Sequence, residues 1–245
     1  MAGKIFLVGI GPGKREHMTF KAVNTLKNVD VVIVCKDYLN LIKDLISDKE
    51  IISEDITPIK RAETAAKMAL EGKTVAVACI GDPTIYAMAN IFFQYLEKNK
   101  ITIPIEVVPG ITAAIAASAS LGAPLGTDFT VISLGEKNVP WETIKRRLEY
   151  ASKADFVIVI YNPICKIEKG RMKKTVEVLK KCKRANTPVG LVKSATLPNE
   201  KVQVTTLDKM LNYKIDNLTT IVIGNSESIA SKNRLITPRK YDLGY

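Results

Sequence analysis

Short runs of consecutive apolar residues recur along the chain, and most are followed by a turn and a stretch with helical periodicity. Runs of this length are typical of strands buried on both faces of a sheet. The strands predicted in this way span residues 4–10, 30–35, 74–80, 105–108, 129–134, 155–160, 188–192 and 219–223. Alternating apolar positions predict one more strand over 201–206.

Between these runs, apolar side chains return at the spacing of one helix face. The clearest helix is predicted over 61–71, where alanines from Ala62 to Ala69 recur at i, i+3, i+4 and i+7. Shorter helices are predicted over 38–46 and 87–96. Because strands and helices alternate, the predicted fold class is α/β with mainly parallel or mixed sheets.

Several predicted strands end in a glycine-rich or polar turn. These turns are Gly9-Ile10-Gly11-Pro12-Gly13, Gly81-Asp82-Pro83, Pro109-Gly110, Tyr161-Asn162-Pro163 and Gly224-Asn225-Ser226. The carboxyl ends of parallel strands lie at one edge of a sheet, and ligands of α/β proteins bind there. We therefore expect these turns to form the walls of a ligand site.

The turn Gly81-Asp82-Pro83 is central to this expectation. Its glycine allows a sharp turn at the end of a buried strand. Asp82 can cap the helix predicted to follow, with Pro83 in the first turn of that helix. At this stage, ordinary helix capping explains the motif as well as a ligand site does.

Composition narrows the possible chemistry of this 245-residue chain. Its single histidine, His17, excludes a metal site built from several histidines. The four cysteines have no paired spacing, which is typical of free thiols in a reducing cytosol. No apolar run approaches the roughly 18 residues of a membrane span, and no signal peptide is visible. We therefore expect a cytoplasmic protein without a membrane partner.

The formal net charge of +11 predicts an anionic ligand, either a nucleic acid or an acidic small molecule. The densest basic segment, residues 166–184, also carries an apolar stripe, and aromatic residues do not interleave with its charges. That pattern favours a solvated helix face over an RNA-binding surface. A dinucleotide-binding dehydrogenase is disfavoured because the first glycine turn lacks the G-x-G-x-x-G spacing.

The chain resembles the tetrapyrrole methylases in four motifs: Gly9-Ile10-Gly11-Pro12-Gly13, Gly81-Asp82-Pro83, Pro109-Gly110-Ile111-Thr112-Ala113 and Leu121-Gly122-Ala123-Pro124. These methyltransferases use S-adenosylmethionine and have two α/β domains with the cofactor in a cleft between them. The resemblance implies the same arrangement here, with domains over 1–111 and 112–245. It departs at Cys79 and Ile80, where the family usually has small residues, at Thr84, where it usually has glycine, and at Thr127, where it usually has histidine.

Within the family, the chain is most similar to the precorrin-3B (cobalt-precorrin-3) C17-methyltransferases. The segments that carry this similarity are Asp128-Phe129, Pro140-Trp141-Glu142, Ala154-Asp155-Phe156, Tyr161-Asn162-Pro163 and Gly224-Asn225-Ser226. The similarity implies methylation at C17 of the macrocycle, with ring contraction, in cobalamin biosynthesis. The alternatives are a methylase for another tetrapyrrole carbon and an RNA methylase on the same fold.

The resemblance also implies a set of site residues, with no metal among the cofactors. Cofactor contacts are implied at Pro12, Gly81, Asp82, Ile85, Thr112, Ala113, Tyr161, Asn162 and Gly224. The candidates for catalysis are Asp82, Tyr86, Tyr161 and Asn162. The candidates for binding substrate carboxylates are Lys14, Arg15, Lys60, Arg61 and Lys193. Relatives are usually homodimers, so we expect a homodimer whose ligand is a tetrapyrrole rather than nucleic acid.

Overall fold

The structure is a computed structural model that describes residues 3–53, 57–135, 139–165 and 168–241. The chain divides into two compact units, Met1–Ala113 and Ala114–Tyr245. Each unit contains its own five-stranded sheet. None of the helices in the described ranges has the length and apolar character needed to cross a membrane.

The sheet of unit 1 is parallel throughout. Its strands are β1 (Lys4–Gly9), β2 (Val31–Val34), β3 (Glu50–Ile52), β4 (Thr74–Cys79) and β5 (Ile105–Val108). Their spatial order is β3-β2-β4-β1-β5, which puts β1 between β4 and β5. The strands alternate with α1 (Phe20–Asn28), α2 (Lys36–Leu39), α3 (Pro58–Leu70) and α4 (Ala89–Asn99).

Helices cover both faces of this sheet. Side chains of α3 and α4, such as Ala66 and Phe92, pack with Ile5 and Leu7 of β1 on one face. Side chains of α1, such as Leu26, pack on the opposite face. Both faces are therefore apolar, which explains why the strands of unit 1 are continuous apolar runs.

The sheet of unit 2 has mixed strand directions. The chain enters it through α5 (Ala113–Leu121) and β6 (Gly122–Ala123). The further elements are β7 (Phe129–Ser133), α6 (Trp141–Lys153), β8 (Val157–Tyr161), α7 (Arg171–Leu179), β9 (Pro188–Lys193), β10 (Lys201–Thr206), β11 (Thr219–Ile223), β12 (Ile229–Ser231) and β13 (Arg234–Ile236). The main sheet has the order β10-β9-β11-β8-β7, and a small sheet has the order β12-β13-β6.

Only β7 and β8 of the main sheet pair in parallel, whereas β8 with β11, β11 with β9 and β9 with β10 are antiparallel. The expectation of mainly parallel pairing is therefore wrong for unit 2, although its mixed alternative holds. Strands β9 and β10 follow each other without an intervening helix, and such a short connection reverses the chain direction. Helices α6 and α7 cover one face of this sheet, and α5 packs on the other.

Three predicted helices differ from the observed ones. Helix α3 begins at Pro58, before the predicted start, because Thr57 caps it by accepting the Lys60 N–H at 3.3 Å. The helix predicted over 38–46 is wrong: α2 ends at Leu39 and a 3-10 turn, Lys43–Leu45, follows. Helix α4 begins at Ala89, two residues after the predicted start.

Candidate active site

Three glycine turns interlock at the carboxyl ends of β1, β4 and β5. The Gly11 N–H donates to the Gly81 carbonyl at 3.1 Å, and the Ile111 N–H donates to the Gly11 carbonyl at 3.4 Å. A Cβ atom added to Gly9 would lie 2.6 Å from the Gly110 nitrogen, and one added to Gly110 would lie 2.3 Å from the Gly81 carbonyl oxygen. These turns meet backbone to backbone, as predicted for one edge of a parallel sheet.

The other cofactor candidates of unit 1 lie along the same turns. A Cβ atom added to Gly81 would lie 3.7 Å from the Thr112 Cα, so these two residues are neighbours. Pro12 follows Gly11 through a cis peptide bond, and Ala113 begins α5. Ile85 lies three residues after Asp82 and has 40% of its surface exposed.

Both carboxylate oxygens of Asp82 accept hydrogen bonds from its own unit. Oδ1 accepts the Thr84 N–H at 2.8 Å and the Thr84 hydroxyl at 2.5 Å, and Oδ2 accepts the Gly110 N–H at 3.0 Å. Burial raises the pKa of Asp82, but these hydrogen bonds outweigh that effect and hold the pKa below its ordinary value. Asp82 is therefore an ionised carboxylate that joins the turn after β4 to the turn after β5.

The prediction that Asp82 caps α4 is wrong. Met88 is the N-cap residue of α4, and its side chain makes no capping hydrogen bond. The intervening residues form an irregular turn in which the Ala89 N–H donates to the Pro83 carbonyl at 2.9 Å. The hydrogen bonds of the Asp82 carboxylate therefore stabilise the turns after β4 and β5 rather than the start of α4.

Tyr86 lies in this irregular turn with a backbone φ of 51°. A bulky residue in the left-handed region is an outlier that costs about 1–2 kcal/mol relative to glycine. Its side chain remains 46% exposed. Strained residues of this kind cluster at functional sites, so Tyr86 remains a candidate residue of unit 1.

In unit 2, Tyr161 and Asn162 end β8 and are held by neighbouring elements. The Tyr161 hydroxyl oxygen accepts the Ala114 N–H of α5 at 2.6 Å. The Asn162 amide donates to the Ser133 hydroxyl at 3.0 Å, and Asn162 adopts a φ of 47°. Gly135 leaves room for it, because a Cβ atom there would lie 2.6 Å from the Asn162 Cβ. We call this end of the sheet the Tyr161 edge.

The loop after β9 lies at the Tyr161 edge and was not predicted as part of the site. β9 and β8 both run antiparallel to β11, so they end at the same edge. Ser194 and Thr196 in this loop have φ values of 52° and 66°. The Glu200 carboxylate accepts the Thr196 N–H and, at 2.8 Å, the Ser120 hydroxyl. The buried Thr196 hydroxyl has no hydrogen-bond partner among the described residues. No glycine marks these left-handed positions, so the sequence pattern gave no signal for them.

Gly224 does not lie at the Tyr161 edge. Because β11 is antiparallel to β8, Ile223 pairs with Ile158 near the start of β8, and Gly224 follows at the opposite edge. The expectation that the turn Gly224-Asn225-Ser226 would share an edge with Tyr161 is therefore wrong. A short antiparallel strand ends beside its neighbour's beginning, and the apolar pattern of β11 does not reveal its direction.

The surroundings of Gly224 form a polar network around Lys183, which we call the Lys183 cluster. The Lys183 ammonium donates to the carbonyls of Phe156 at 3.1 Å and Gly224 at 3.0 Å and lies 3.7 Å from the Asp155 carboxylate. Asp155 also accepts the Ser226 N–H at 3.0 Å and the Ser226 hydroxyl. Two of the segments that carry the family similarity thus stabilise the sheet edge opposite Tyr161.

Most basic residues proposed for carboxylate binding already have acidic partners. Lys14 pairs with Glu16 at 3.2 Å, Arg15 with Asp44 at 3.1 Å, Lys60 with Glu63 at 3.1 Å, and Lys193 with Asp216. Arg61 forms no ion pair with any residue that the structure describes, and its buried Nε has no hydrogen-bond partner. Arg61 is therefore the basic candidate with an unused donor.

Arg61 sits near the carboxyl ends of β2 and β4. Burial raises the pKa of Tyr38 and raises that of Cys79 to about 12, while the nearby charge of Arg61 opposes both shifts. Tyr38 follows β2, and Cys79 ends β4. The guanidinium consequently belongs to the same edge of unit 1 as the glycine turns.

Comparison with known proteins agrees with this arrangement of two α/β units and glycine turns. The family described as "Tetrapyrrole (Corrin/Porphyrin) Methylases" matches residues 4–211. The chain belongs to this family. Its fold also matches the crystal structure of the methyltransferase CobJ, with a TM-score of 0.92 and 29% identity over 97% of this chain and 100% of that one.

Two curated relatives match almost the whole of this chain. The cobalt-factor III methyltransferase of Priestia megaterium is 40% identical over 250 residues, and the match covers 100% of this chain and 46% of that protein. This chain therefore spans about half the length of that relative. The probable cobalt-factor III C(17)-methyltransferase of Salmonella typhimurium is 37% identical, and the match covers 97% of this chain and 99% of that protein.

Proposed function

We propose that the chain transfers a methyl group from S-adenosylmethionine to C17 of a precorrin-3B or cobalt-precorrin-3 type macrocycle, with ring contraction, in cobalamin biosynthesis. The similarity to the Salmonella typhimurium protein over nearly the full length of both chains carries this proposal. The two alternatives are methylation at another tetrapyrrole carbon and methylation of RNA. We further propose a cytoplasmic homodimer, for which light scattering should give twice the chain mass of 26.9 kDa.

The turns of unit 1 suit a cofactor held by backbone groups. Gly9, Gly11 and Gly110 leave no space for side chains, so carbonyls and N–H groups line these turns. We assign Pro12, Gly81, Asp82, Ile85, Thr112 and Ala113 to cofactor binding in unit 1. In unit 2 we assign Tyr161 and Asn162, and we add the loop of residues 194–200. We do not assign Gly224 to cofactor binding, because it lies at the sheet edge opposite Tyr161.

S-adenosylmethionine supplies a methyl group that is already activated on a sulfonium, so no protein nucleophile is required. The residues of this chain must then bind and align the reactants and exclude water. Asp82 orients the turns, and the half-exposed ring of Tyr86 offers a surface to the macrocycle. The strained backbone at Tyr86 and Asn162 fixes where these side chains point.

The reaction is tested with purified protein, S-adenosylmethionine and each candidate macrocycle, with and without cobalt. We expect one added methyl mass and loss of the absorption of the uncontracted ring. A product methylated at another carbon, with its ring uncontracted, would replace C17 as the target. Methyl transfer to ribosomal RNA without turnover of any macrocycle would overturn the tetrapyrrole assignment.

We propose that Arg61 binds a carboxylate of the macrocycle through its unused guanidinium donors. Replacing Arg61 with glutamine should raise the KM for the macrocycle roughly tenfold and leave kcat nearly unchanged, because a charge-assisted hydrogen bond to the bound substrate is lost. The effect should shrink as salt rises. Arg15→Gln is the matched control, since exposed Arg15 is already paired with Asp44, and its KM should stay within about twofold. Equal KM values for the two variants would remove Arg61 from the substrate site.

A further inference from the structure

Thr84 is the residue at which the central turn departs from the family pattern, and the structure gives its side chain a specific partner. Its N–H and its hydroxyl both donate to the same oxygen of Asp82, at 2.8 Å and 2.5 Å. A glycine at this position would keep the first of these hydrogen bonds and lose the second. The side chain is otherwise exposed.

The second oxygen of Asp82 reaches another strand of the sheet. It accepts the N–H of Gly110, which follows β5, 28 residues along the chain. Gly110 in turn packs against the backbone of Gly9 and Gly81 with no space for a Cβ atom. The hydroxyl of Thr84 is thus the outermost member of a chain of contacts that runs through Asp82 to all three glycine turns.

Two donors on one oxygen restrict how the carboxylate can rotate. With only the Thr84 N–H remaining, the carboxylate could turn toward water and release the Gly110 N–H. No lysine or arginine among the described residues forms an ion pair with Asp82 that could hold it instead. Among the described residues, the Cys79 thiol interacts electrostatically with Asp82, and burial raises the pKa of this thiol to about 12, so it is uncharged at neutral pH.

We propose that Thr84 is a positioning residue for the cofactor site of this chain. Its hydroxyl fixes the Asp82 carboxylate, and Asp82 fixes the turns whose backbone groups bind S-adenosylmethionine. This inference rests on the proposed function, because it assumes that these turns hold that cofactor. It assigns to Thr84 a role that a glycine at this position could not perform.

The test compares Thr84→Val, which keeps the side-chain shape without the hydroxyl, with Thr84→Ser, which keeps the hydroxyl. Calorimetry should show that Thr84→Val binds S-adenosylmethionine about three- to tenfold more weakly, because the hydroxyl acts on the cofactor site only through Asp82 and the net contribution of one such intramolecular hydrogen bond is modest. Thr84→Ser should stay within twofold of the wild type. Because the hydroxyl makes a hydrogen bond within the folded chain, Thr84→Val should unfold at a slightly lower temperature than the wild type and Thr84→Ser at the same temperature, so all titrations are made well below both unfolding temperatures.

A pH series adds a readout that a purely structural role would not move. Protonation of Asp82 would put a hydrogen atom on a carboxylate oxygen that now accepts a hydrogen bond, and that bond would be lost. Cofactor affinity should therefore fall as the pH drops through the pKa of Asp82. The Thr84 hydroxyl lowers that pKa, and its removal should shift the fall in affinity to higher pH in Thr84→Val but not in Thr84→Ser.

Identical affinity and identical pH profiles in Thr84→Val and the wild type would overturn the positioning role. Weakened binding in Thr84→Ser as severe as in Thr84→Val would overturn it too, because the hydroxyl would then not be the cause. Absence of S-adenosylmethionine binding by the wild type would instead contradict the proposed function, so the two failures are distinguishable.

Discussion

Replacing Lys183 with methionine should lower the free energy of unfolding by about 3 kcal/mol, because two backbone carbonyls lose their donor and each unsatisfied buried hydrogen-bonding group costs about 1–3 kcal/mol. The Lys183 side chain is only 3% exposed. Methionine fills a similar volume, but it leaves the carbonyls of Phe156 and Gly224 without a donor. It also removes the cation beside Asp155, although Ser226 continues to hold that carboxylate.

Lys181→Met is the matched control, because Lys181 lies two residues away and is exposed. Its free energy of unfolding should change by less than about 0.5 kcal/mol. Denaturant unfolding followed by circular dichroism measures both variants. A loss of less than about 1 kcal/mol in Lys183→Met would mean that the buried ammonium is dispensable to the fold.

The Lys183→Met variant also tests whether the Gly224 turn contributes to cofactor binding or only to the stability of the sheet. If the Lys183 cluster only stabilises the sheet, folded Lys183→Met should bind S-adenosylmethionine with unchanged affinity. A clear loss of affinity in protein that is still folded would return Gly224 to the cofactor site. The same calorimetric titration on Lys181→Met controls for the lost positive charge.

The parts of the fold that were predictable from sequence are those set by local pattern. The apolar runs located β1, β2, β4 and β5 of unit 1, but the short strand β3 was not among them. The glycine turns at Gly11, Gly81 and Gly110 were correctly expected to meet, because all strands of that sheet are parallel. In unit 2 the same reasoning failed at Gly224. A fully buried strand shows the same apolar run in either direction, so only its pairing reveals which edge its end reaches.

The candidate site was predictable only where residues close in sequence define it. The turn at Asp82 was visible in the sequence, but the predicted role of Asp82 as a helix cap is wrong, because its partner Gly110 lies 28 residues away and leaves no local signature. The left-handed backbone conformation of Ser194 and Thr196 was not predictable from the sequence, because tertiary contacts, such as those of Glu200, impose it. Contacts of this kind depend on the folded sheet rather than on local propensity.

Replacing Gly110 with alanine should destabilise unit 1 by about 3 kcal/mol or more, since overpacking a close contact costs roughly 1–3 kcal/mol even where side chains can move. Here the added Cβ atom would lie 2.3 Å from the Gly81 carbonyl oxygen and 2.8 Å from the Gly9 carbonyl carbon. Both neighbours are backbone atoms in turns that are themselves hydrogen-bonded. Relief therefore requires the ends of β1, β4 and β5 to separate.

Gly81→Ala is the control within the same group of turns. Its Cβ atom would meet nothing closer than 3.7 Å, so the cost comes only from the φ of +74° at Gly81 and should be about 1 kcal/mol. Denaturant unfolding should therefore rank wild type above Gly81→Ala and Gly81→Ala well above Gly110→Ala. Equal destabilisation by the two alanines would show that backbone strain, rather than crowding between the turns, governs this edge. The ranking thus decides whether close packing between the three turns, rather than the backbone conformation of Gly81, stabilises this edge of the sheet.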